Sequence, residues 1–160
     1  MPSDTVLYQA AALCLTYPGE DFHARLPLLR EAAPQLRGFT DHAAVTEPAE
    51  LAAHYLRVFD MERGHSLYLS RWQSGGSGPD AASAGRFEDA YRAHGLDVGE
   101  ERPDFLPAVL EFTARTGETG LLTEHRTTLE RLRGRLTEDG TPYACVLDAV
   151  CAALPTVHHP

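Results

Sequence analysis

The stretch Val6-Leu7-Tyr8-Gln9-Ala10-Ala11-Ala12-Leu13-Cys14-Leu15-Thr16-Tyr17 decides the fold class. Its apolar residues recur at intervals of three and four, the spacing that places side chains on one face of an α-helix. The residues of the face predicted to be buried are Val6, Leu7, Ala10, Leu13, Cys14 and Tyr17. Asp4 suits the N-cap position of this helix, and Pro18-Gly19 is expected to end it.

The same helical spacing continues along most of the chain. It predicts a helix over residues 20–33 with Phe22, Leu26 and Leu29 buried, although Pro27 weakens that interpretation or implies a break. Further helices are predicted over residues 48–59, 66–72, 81–94, 104–113, 121–139 and 142–154. No alternating pattern indicates a strand. The predicted fold class is all-α, a single-domain helical bundle over residues 1–157 with a flexible Gly/Ser loop at about 73–80 and a tail at 158–160.

Capping residues are predicted at several of these helix ends. Ser66 is expected to cap a short helix, and Gly95 to end the helix that begins near residue 81. Pro107 is tolerated only in the first turn of a helix, which favours Asp104 as the N-cap of that helix. The long helix after residue 121 is expected to end near Asp139-Gly140.

Charge and composition exclude several classes of function. The net charge of -9 and the pI of about 5.3 argue against nucleic acid or an anionic membrane surface as the main partner. The chain contains no lysine, so Schiff-base catalysis and a phosphate-loop lysine are excluded. The three cysteines lie in apolar helical patterns and are expected to be reduced and buried. No signal region or apolar membrane span of ~20 residues is found, so the cytoplasm is the predicted location.

Catalytic and metal-binding patterns are weak. The eight histidines are scattered, and neither a His-Glu-x-x-His nor a Cys-x-x-Cys pattern occurs. The glycine-rich segment 75–78 follows a predicted helix and lacks the lysine of a phosphate loop. We therefore predict no catalytic residue, no metal site and no cofactor. A small enzyme or nucleotide-binding protein is the poorly supported alternative.

Residues 101–112 form the segment richest in candidate binding residues. At about 100° per residue, Asp104 and Glu111 fall on one line along the predicted helix. Phe105, Val109 and Phe112 lie about a third of a turn away. Two interpretations are open: a core helix with a solvated acidic side, or one wall of a groove that takes an amphipathic, basic peptide.

A second apolar cluster surrounds the loop that begins at Asp60. Its members are Tyr55, Phe59, Leu67, Tyr68 and Trp72. Core packing explains most of them. Aromatic side chains beside an acidic loop also suit peptide capture, because they provide contact area at low entropic cost.

These segments resemble motifs of a known family, the nitrate reductase delta subunits, which form the NarJ branch of the TorD-like redox-enzyme maturation chaperones. Residues 55–60 resemble its Tyr-x-x-x-Phe-Asp motif, and Ser66-Leu67-Tyr68-Leu69 matches the tetrapeptide that follows. Phe87 to Leu96 resembles the next helix. The most specific match is Glu101-x-Pro103-Asp104-x-Leu106-Pro107-x-Val109-Leu110-Glu111-Phe112. The likeness runs from about residue 7 to 136, although residues 76–85 lack the arginines of the family's Gly-Asp-x-Arg-x-Arg-Gly stretch.

The resemblance implies a cytoplasmic TorD-like helical chaperone that is not an enzyme and carries no cofactor. The implied partner is the alpha (catalytic) subunit of respiratory nitrate reductase, chiefly its N-terminal, leader-like tail, before molybdenum cofactor insertion and membrane attachment. A monomer is expected, with a dimer as the alternative. The alternative function is an assembly chaperone or helical interaction module for a different molybdenum redox enzyme. The implied peptide-binding positions are Tyr55, Phe59, Asp60, Leu67, Tyr68, Glu101, Asp104, Phe105 and Glu111.

Overall fold

The computed structural model describes residues 2–59, 65–69, 81–96 and 103–155. Regular secondary structure within these ranges is helical, which confirms the predicted all-α class. The α-helices are α1 (Pro2–Cys14), α2 (Phe22–Ala32), α3 (Arg37–Ala44), α4 (Pro48–Val58), α5 (Ala81–Ala93), α6 (Leu106–Thr116), α7 (Gly120–Glu124), α8 (Arg126–Asp139) and α9 (Tyr143–Ala153). A 3-10 turn, Pro34–Leu36, precedes α3. The predicted Gly/Ser loop at 73–80 and the tail at 158–160 lie outside the described residues.

Helix α1 lies at the centre of the fold and packs against α6, α9 and α2. It is therefore buried around most of its circumference, with Tyr8, Ala11 and Leu15 all nearly inaccessible. The predicted single buried face was wrong at its two ends, because Val6 and Tyr17 are exposed. A helix enclosed from several sides buries more than one face, and its three consecutive alanines, residues 10–12, leave room for close neighbours.

The bounds of α1 also differ from the prediction. Asp4 lies within the helix and does not cap it, since the helix begins at Pro2. The helix ends at Cys14, four residues before Pro18. In α2 the buried residues are Phe22, Leu26 and Leu29, as predicted.

Pro27 lies inside α2 without ending it. Its side chain is exposed, so the ring and the missing backbone hydrogen bond lie on the solvent side of the helix. Helix α3 was not predicted from the sequence. It is only 8 residues long and buries Phe39, Thr40 and Ala43, a face too short and too polar to stand out as a periodic pattern.

Residues 66–68 are not helical, contrary to the helix predicted over residues 66–72, and 3-10 geometry begins only at Leu69. Tyr68 instead forms an isolated antiparallel bridge with Phe105. The Ser66 hydroxyl accepts a hydrogen bond from the Tyr68 backbone N–H at 3.1 Å, so Ser66 turns the chain locally without starting an α-helix. Trp72, the last residue of that predicted helix, lies outside the described residues.

Helices α7 and α8 were predicted as one long helix, but the helix is interrupted at His125, which ends α7 and precedes α8. The His125 Nδ1–H donates to the Leu121 carbonyl at 2.8 Å, and α8 restarts with Leu129 N–H donating to the His125 carbonyl at 2.9 Å. The predicted ends at Gly95 and Gly140 are confirmed, with φ of 71° and 76°. Both values lie in the left-handed region that favours glycine after a helix.

The three cysteines are free thiols, with Cys14 and Cys151 buried as predicted and Cys145 only half-buried. Burial raises the pKa of Cys14 to about 12, and the neighbouring Cys145 adds to the shift. Among the described residues, no helix is both long and apolar enough to cross a membrane.

Candidate functional site

Seven of the nine positions implied by the sequence lie in the described ranges, and Asp60 and Glu101 lie outside them. The structure places these seven side chains in two aromatic groups and one exposed position. The first group contains Tyr55 and Phe59, and the second contains Leu67, Tyr68, Asp104 and Phe105. Glu111 lies apart on α6.

The first group forms at the last turn of α4, where Tyr55 and Phe59 are one helical turn apart with ring centroids 5.0 Å apart. Both rings also contact Tyr143, the first residue of α9, at 6.0 Å for Tyr55 and 5.0 Å for Phe59. Tyr55 is buried and Phe59 is half-buried. The Tyr143 ring therefore packs against both side chains, and we call these three rings the Tyr143 cluster.

Hydrogen bonds tie this cluster to the core. The Tyr55 hydroxyl donates to the Leu15 carbonyl at 3.0 Å, which links the end of α4 to the end of α1. Burial, followed by the Tyr55 hydroxyl and the Cys14 thiol, raises the pKa of Tyr143 well above its usual value. Tyr143 is thus a neutral phenol, and it acts here as an apolar surface.

His54 stacks on Tyr143 with ring centroids 5.5 Å apart and an interplanar angle of 15°. Its Nε2 is 2.8 Å from the Thr141 hydroxyl oxygen, a hydrogen bond that joins α4 to the start of α9. Burial lowers the pKa of His54, and the Arg57 and His42 charges lower it further, while Asp139 opposes them. The neutral imidazole is therefore the form that fits this stack.

The second group is built by backbone pairing between residues 67–69 and 104–106. The Leu69 N–H donates to the Asp104 carbonyl at 3.0 Å, and the Leu106 N–H donates to the Leu67 carbonyl at 2.7 Å. The rings of Tyr68 and Phe105 consequently lie side by side, with centroids 5.0 Å apart. We call Tyr68 and Phe105 the aromatic bridge. Both rings are half-buried, so each keeps part of its surface open to solvent.

Asp104 is fully buried, at 0% exposure. The N-cap residue of α6 is Phe105, so the predicted Asp104 cap is one residue out of place. The predicted acidic edge of Asp104 and Glu111 is also wrong, because Asp104 precedes the helix and is inaccessible while Glu111 is exposed on it. Helix α6 buries its apolar face in the core and exposes Glu111, while the second interpretation of this segment, a wall of a peptide groove, stays a prediction.

Tyr91 of α5 joins this region to the core. Its hydroxyl donates to the Pro103 carbonyl at 3.1 Å, and its ring stacks on Phe112 of α6 with centroids 4.9 Å apart. Burial raises the pKa of Tyr91, and the carboxylates of Glu111 and Asp104 raise it further. Tyr91 therefore anchors the chain just before the aromatic bridge and lies close enough to both carboxylates to be influenced by their charge.

The accessible residues of the candidate site are three aromatic rings and one carboxylate. Phe59, Tyr68 and Phe105 are half-buried, and Glu111 is exposed. Tyr55 and Leu67 are buried at 8% and 3% exposure, so they position their neighbours. Within the described ranges, no three His, Cys, Asp or Glu side chains are grouped to hold a metal ion. Partly accessible aromatic rings of this kind can bind a polypeptide by ring contacts.

Sequence reasoning missed Tyr143 and His54 as parts of this region. Tyr143 extends the 3-4 spacing of Val146, Leu147 and Val150 by one turn, so periodicity alone placed it in the core. No sequence pattern predicts its stacking with His54, because the two residues are 89 positions apart. Tyr91 was part of a motif but carried no predicted role.

Comparisons with known proteins agree on one family. The model of the family described as the nitrate reductase delta subunit matches residues 23–147. The chain is 34% identical to the nitrate reductase-like protein NarX of Mycobacterium tuberculosis, over 91% of this chain and 24% of that protein. It is 26% identical to the probable nitrate reductase molybdenum cofactor assembly chaperone NarJ of Bacillus subtilis, over 95% of this chain and 90% of that protein.

A solved structure supports the same architecture. A proposed redox enzyme maturation protein from Archaeoglobus fulgidus matches with a TM-score of 0.73 and 22% identity, over 95% of this chain and 92% of that one. At this identity the match shows a shared fold. The chain spans about a quarter of the length of the Mycobacterium tuberculosis relative, whose aligned share is 24%.

Proposed function

The chain belongs to the nitrate reductase delta subunit family, and we propose that it is an assembly chaperone for a molybdenum-containing nitrate reductase. In this role it binds the catalytic subunit in the cytoplasm, chiefly through that subunit's N-terminal tail, before the molybdenum cofactor is inserted and the enzyme attaches to the membrane. The chaperone name of the Bacillus subtilis relative, which this chain matches over 90% of its length, supports the assembly role.

The observation that carries the tail-binding part is the aromatic bridge. Two segments that are almost forty residues apart are joined by two backbone hydrogen bonds, and the joint leaves the Tyr68 and Phe105 rings half-buried side by side. Rings held in this way lose little conformational entropy on binding. A small, pre-organised aromatic surface suits the apolar side of a short peptide better than it suits a catalytic step.

The described positions then divide among three roles. Phe59, Tyr68 and Phe105 contact the tail, because their rings are partly accessible. Tyr55, Leu67 and Asp104 position those rings from inside the core, and they belong to the site without touching the peptide. Glu111 remains on the surface as a charge that attracts a basic tail.

The negative charge of the chain favours a client segment that is basic. The net charge of -9 favours encounter with a cationic tail, and this attraction is weakened by salt. Glu111 is exposed, so its own contribution is small and screened. The proposed site therefore relies on ring contacts for affinity and on overall charge for the rate of association.

The test uses a fluorescent peptide of the first fifteen or so residues of the nitrate reductase catalytic subunit encoded in the same genome. We expect the purified chain to bind it, and the Tyr68→Ala/Phe105→Ala double variant to bind about tenfold to a hundredfold more weakly, as central aromatic contacts do. Val45→Ala is the matched control, since Val45 is 85% exposed and lies after α3. Glu111→Gln should change affinity no more than about threefold at physiological salt.

Three results would contradict parts of the proposal. Absence of binding by the wild-type chain, together with failure to recover the catalytic subunit on affinity purification from its own cells, would remove the client assignment. Recovery of a different molybdenum enzyme would assign the chaperone role to that enzyme. Unchanged affinity in the folded Tyr68→Ala/Phe105→Ala variant would remove the aromatic bridge from the site.

A further inference from the structure

A surface pocket lies between the end of α1 and the start of α2. Its lining combines the aromatic ring of Tyr17, the carboxylates of Glu20 and Asp21, and the apolar side chains of Leu13 and Phe22, with Arg25 at one side. We propose that this pocket, called here the Tyr17 pocket, accepts the cationic side chain of an arginine or lysine in a bound polypeptide. The identity of that polypeptide rests on the proposed function, whereas the preference for a cation does not.

Tyr17 is the first reason for this assignment. Its side chain is 51% exposed although it follows the most buried helix of the fold. The ring is fixed by an edge-to-face contact with Tyr55 at 5.8 Å. A fixed, exposed aromatic ring beside carboxylates is the arrangement that attracts a cation, because the ring face carries partial negative charge.

The two carboxylates are the second reason. Glu20 and Asp21 are exposed, and neither forms an ion pair with another described residue. Asp21 occupies the N-cap position of α2, yet its side chain makes no capping hydrogen bond. Both carboxylates are thus available to a ligand. They outnumber the guanidinium of Arg25, so the pocket keeps one excess negative charge within a chain whose net charge is -9.

The apolar part of the lining selects for a long cationic side chain. Leu13 is half-buried and Phe22 is buried beside it, so they offer carbon surface to the methylene stem of arginine or lysine. The charged head then reaches the carboxylates and the Tyr17 ring. An anionic ligand would meet Glu20 and Asp21, and a purely apolar side chain would leave both carboxylates without a partner.

The Tyr17 pocket is linked to the Tyr143 cluster through the buried ring of Tyr55. Tyr17 contacts Tyr55, and Tyr55 contacts Phe59, which is the accessible ring of that cluster. A peptide that lies across Phe59 can place a basic residue in the pocket. The pocket would then add charge specificity to a site whose other contacts are aromatic.

The test titrates the full chain, labelled with ¹⁵N and ¹³C, with Nα-acetyl-arginine amide and with its neutral isostere, Nα-acetyl-citrulline amide. We expect shifts at Tyr17, Leu13 and Asp21 with the arginine compound and an apparent affinity at least about threefold above that of citrulline, the size of an exposed cation contact. Glu20→Gln/Asp21→Asn should remove this preference. Arg25→Gln should strengthen it, because the variant removes the pocket's own cation.

The matched control is Glu47→Gln/Glu50→Gln, which neutralises two exposed carboxylates at the start of α4. Equal responses to arginine and citrulline, absence of a response at Tyr17, or weaker binding in Arg25→Gln would overturn the proposal. The tail-binding assay separates the two inferences. Normal binding of the tail to Glu20→Gln/Asp21→Asn would leave the chaperone function intact and reject the pocket as a site for the tail's basic residue. Arginine selectivity without tail binding would support the pocket and reject the tail assignment.

Discussion

Replacing Tyr143 with alanine tests whether one buried ring supports the rings of Tyr55 and Phe59. Tyr143 is 0% exposed and contacts the rings of Phe39, His54, Tyr55 and Phe59, with Phe39 at 4.7 Å. Removing a buried aromatic side chain costs about 3–5 kcal/mol of unfolding free energy. Each lost aromatic pair costs about 0.5–1.5 kcal/mol beyond area burial, and the range of about 3–5 kcal/mol for an aromatic residue already includes part of this cost. We expect Tyr143→Ala to lose about 4 kcal/mol.

Urea denaturation followed by circular dichroism measures this loss, and a chain of this length should melt about 8–16 °C lower. Tyr143→Phe keeps every ring contact and is the control, with an expected loss of about 1 kcal/mol or less. Tyr17→Ala removes a half-exposed ring with one aromatic contact, and it should cost about 1 kcal/mol. A loss below about 1 kcal/mol for Tyr143→Ala would refute the idea that Tyr143 supports the cluster.

The remaining predictions concern pH and two glycines. Because the pKa of His54 is lowered from 6.5 in the fold by burial, Arg57 and His42, the unfolded chain binds the proton more readily. The unfolding free energy should therefore fall as the pH drops below about 6.5, and it should stop falling once the pH is below the pKa of His54 in the folded chain. His54→Gln should flatten this dependence in urea titrations between pH 7.5 and 5. A steeper dependence in His54→Gln would contradict this sign. Gly134→Ala should raise stability by about 0.5–1 kcal/mol, since it lies inside α8 with open space at its Cβ position. Gly140→Ala should lower stability by about 1–2 kcal/mol, since its φ is 76°. Thermal melts of the two variants that move in the same direction would reject the argument.

The aromatic bridge shows why the binding residues had to be reinterpreted. The sequence placed Asp104 and Glu111 on one helical edge, an inference that needs the helix to begin at or before Asp104. The chain instead pairs Asp104 with Leu69 through the backbone, and the helix begins after Phe105. Because the N-cap is Phe105, one residue later than predicted, the Asp104 side chain is buried in the core. The Phe105 ring lies beside Tyr68.

Helices with one buried face were predicted well. In α2 the predicted residues Phe22, Leu26 and Leu29 are buried and the residues between them are exposed or half-buried, because a helix that packs on one side shows its buried face as a local 3-4 pattern. The patterns failed where packing is not one-sided or the element is short. Helix α1 is enclosed by three neighbours, and α3 has only 8 residues.

The sequence by itself determined the helical class, most helix positions and the motifs that carry the family resemblance, since each depends on spacing within a few turns or on residue identity. Only the tertiary structure decided that Tyr143 supports Tyr55 and Phe59, that Asp104 is buried, and that Tyr17 lines an open pocket. These outcomes depend on which elements meet, and distant segments such as residues 67–69 and 104–106 leave no shared period in the chain. Helical periodicity is a local property of the sequence, whereas the exposure of a side chain depends on residues that are distant in the sequence and adjacent in the fold.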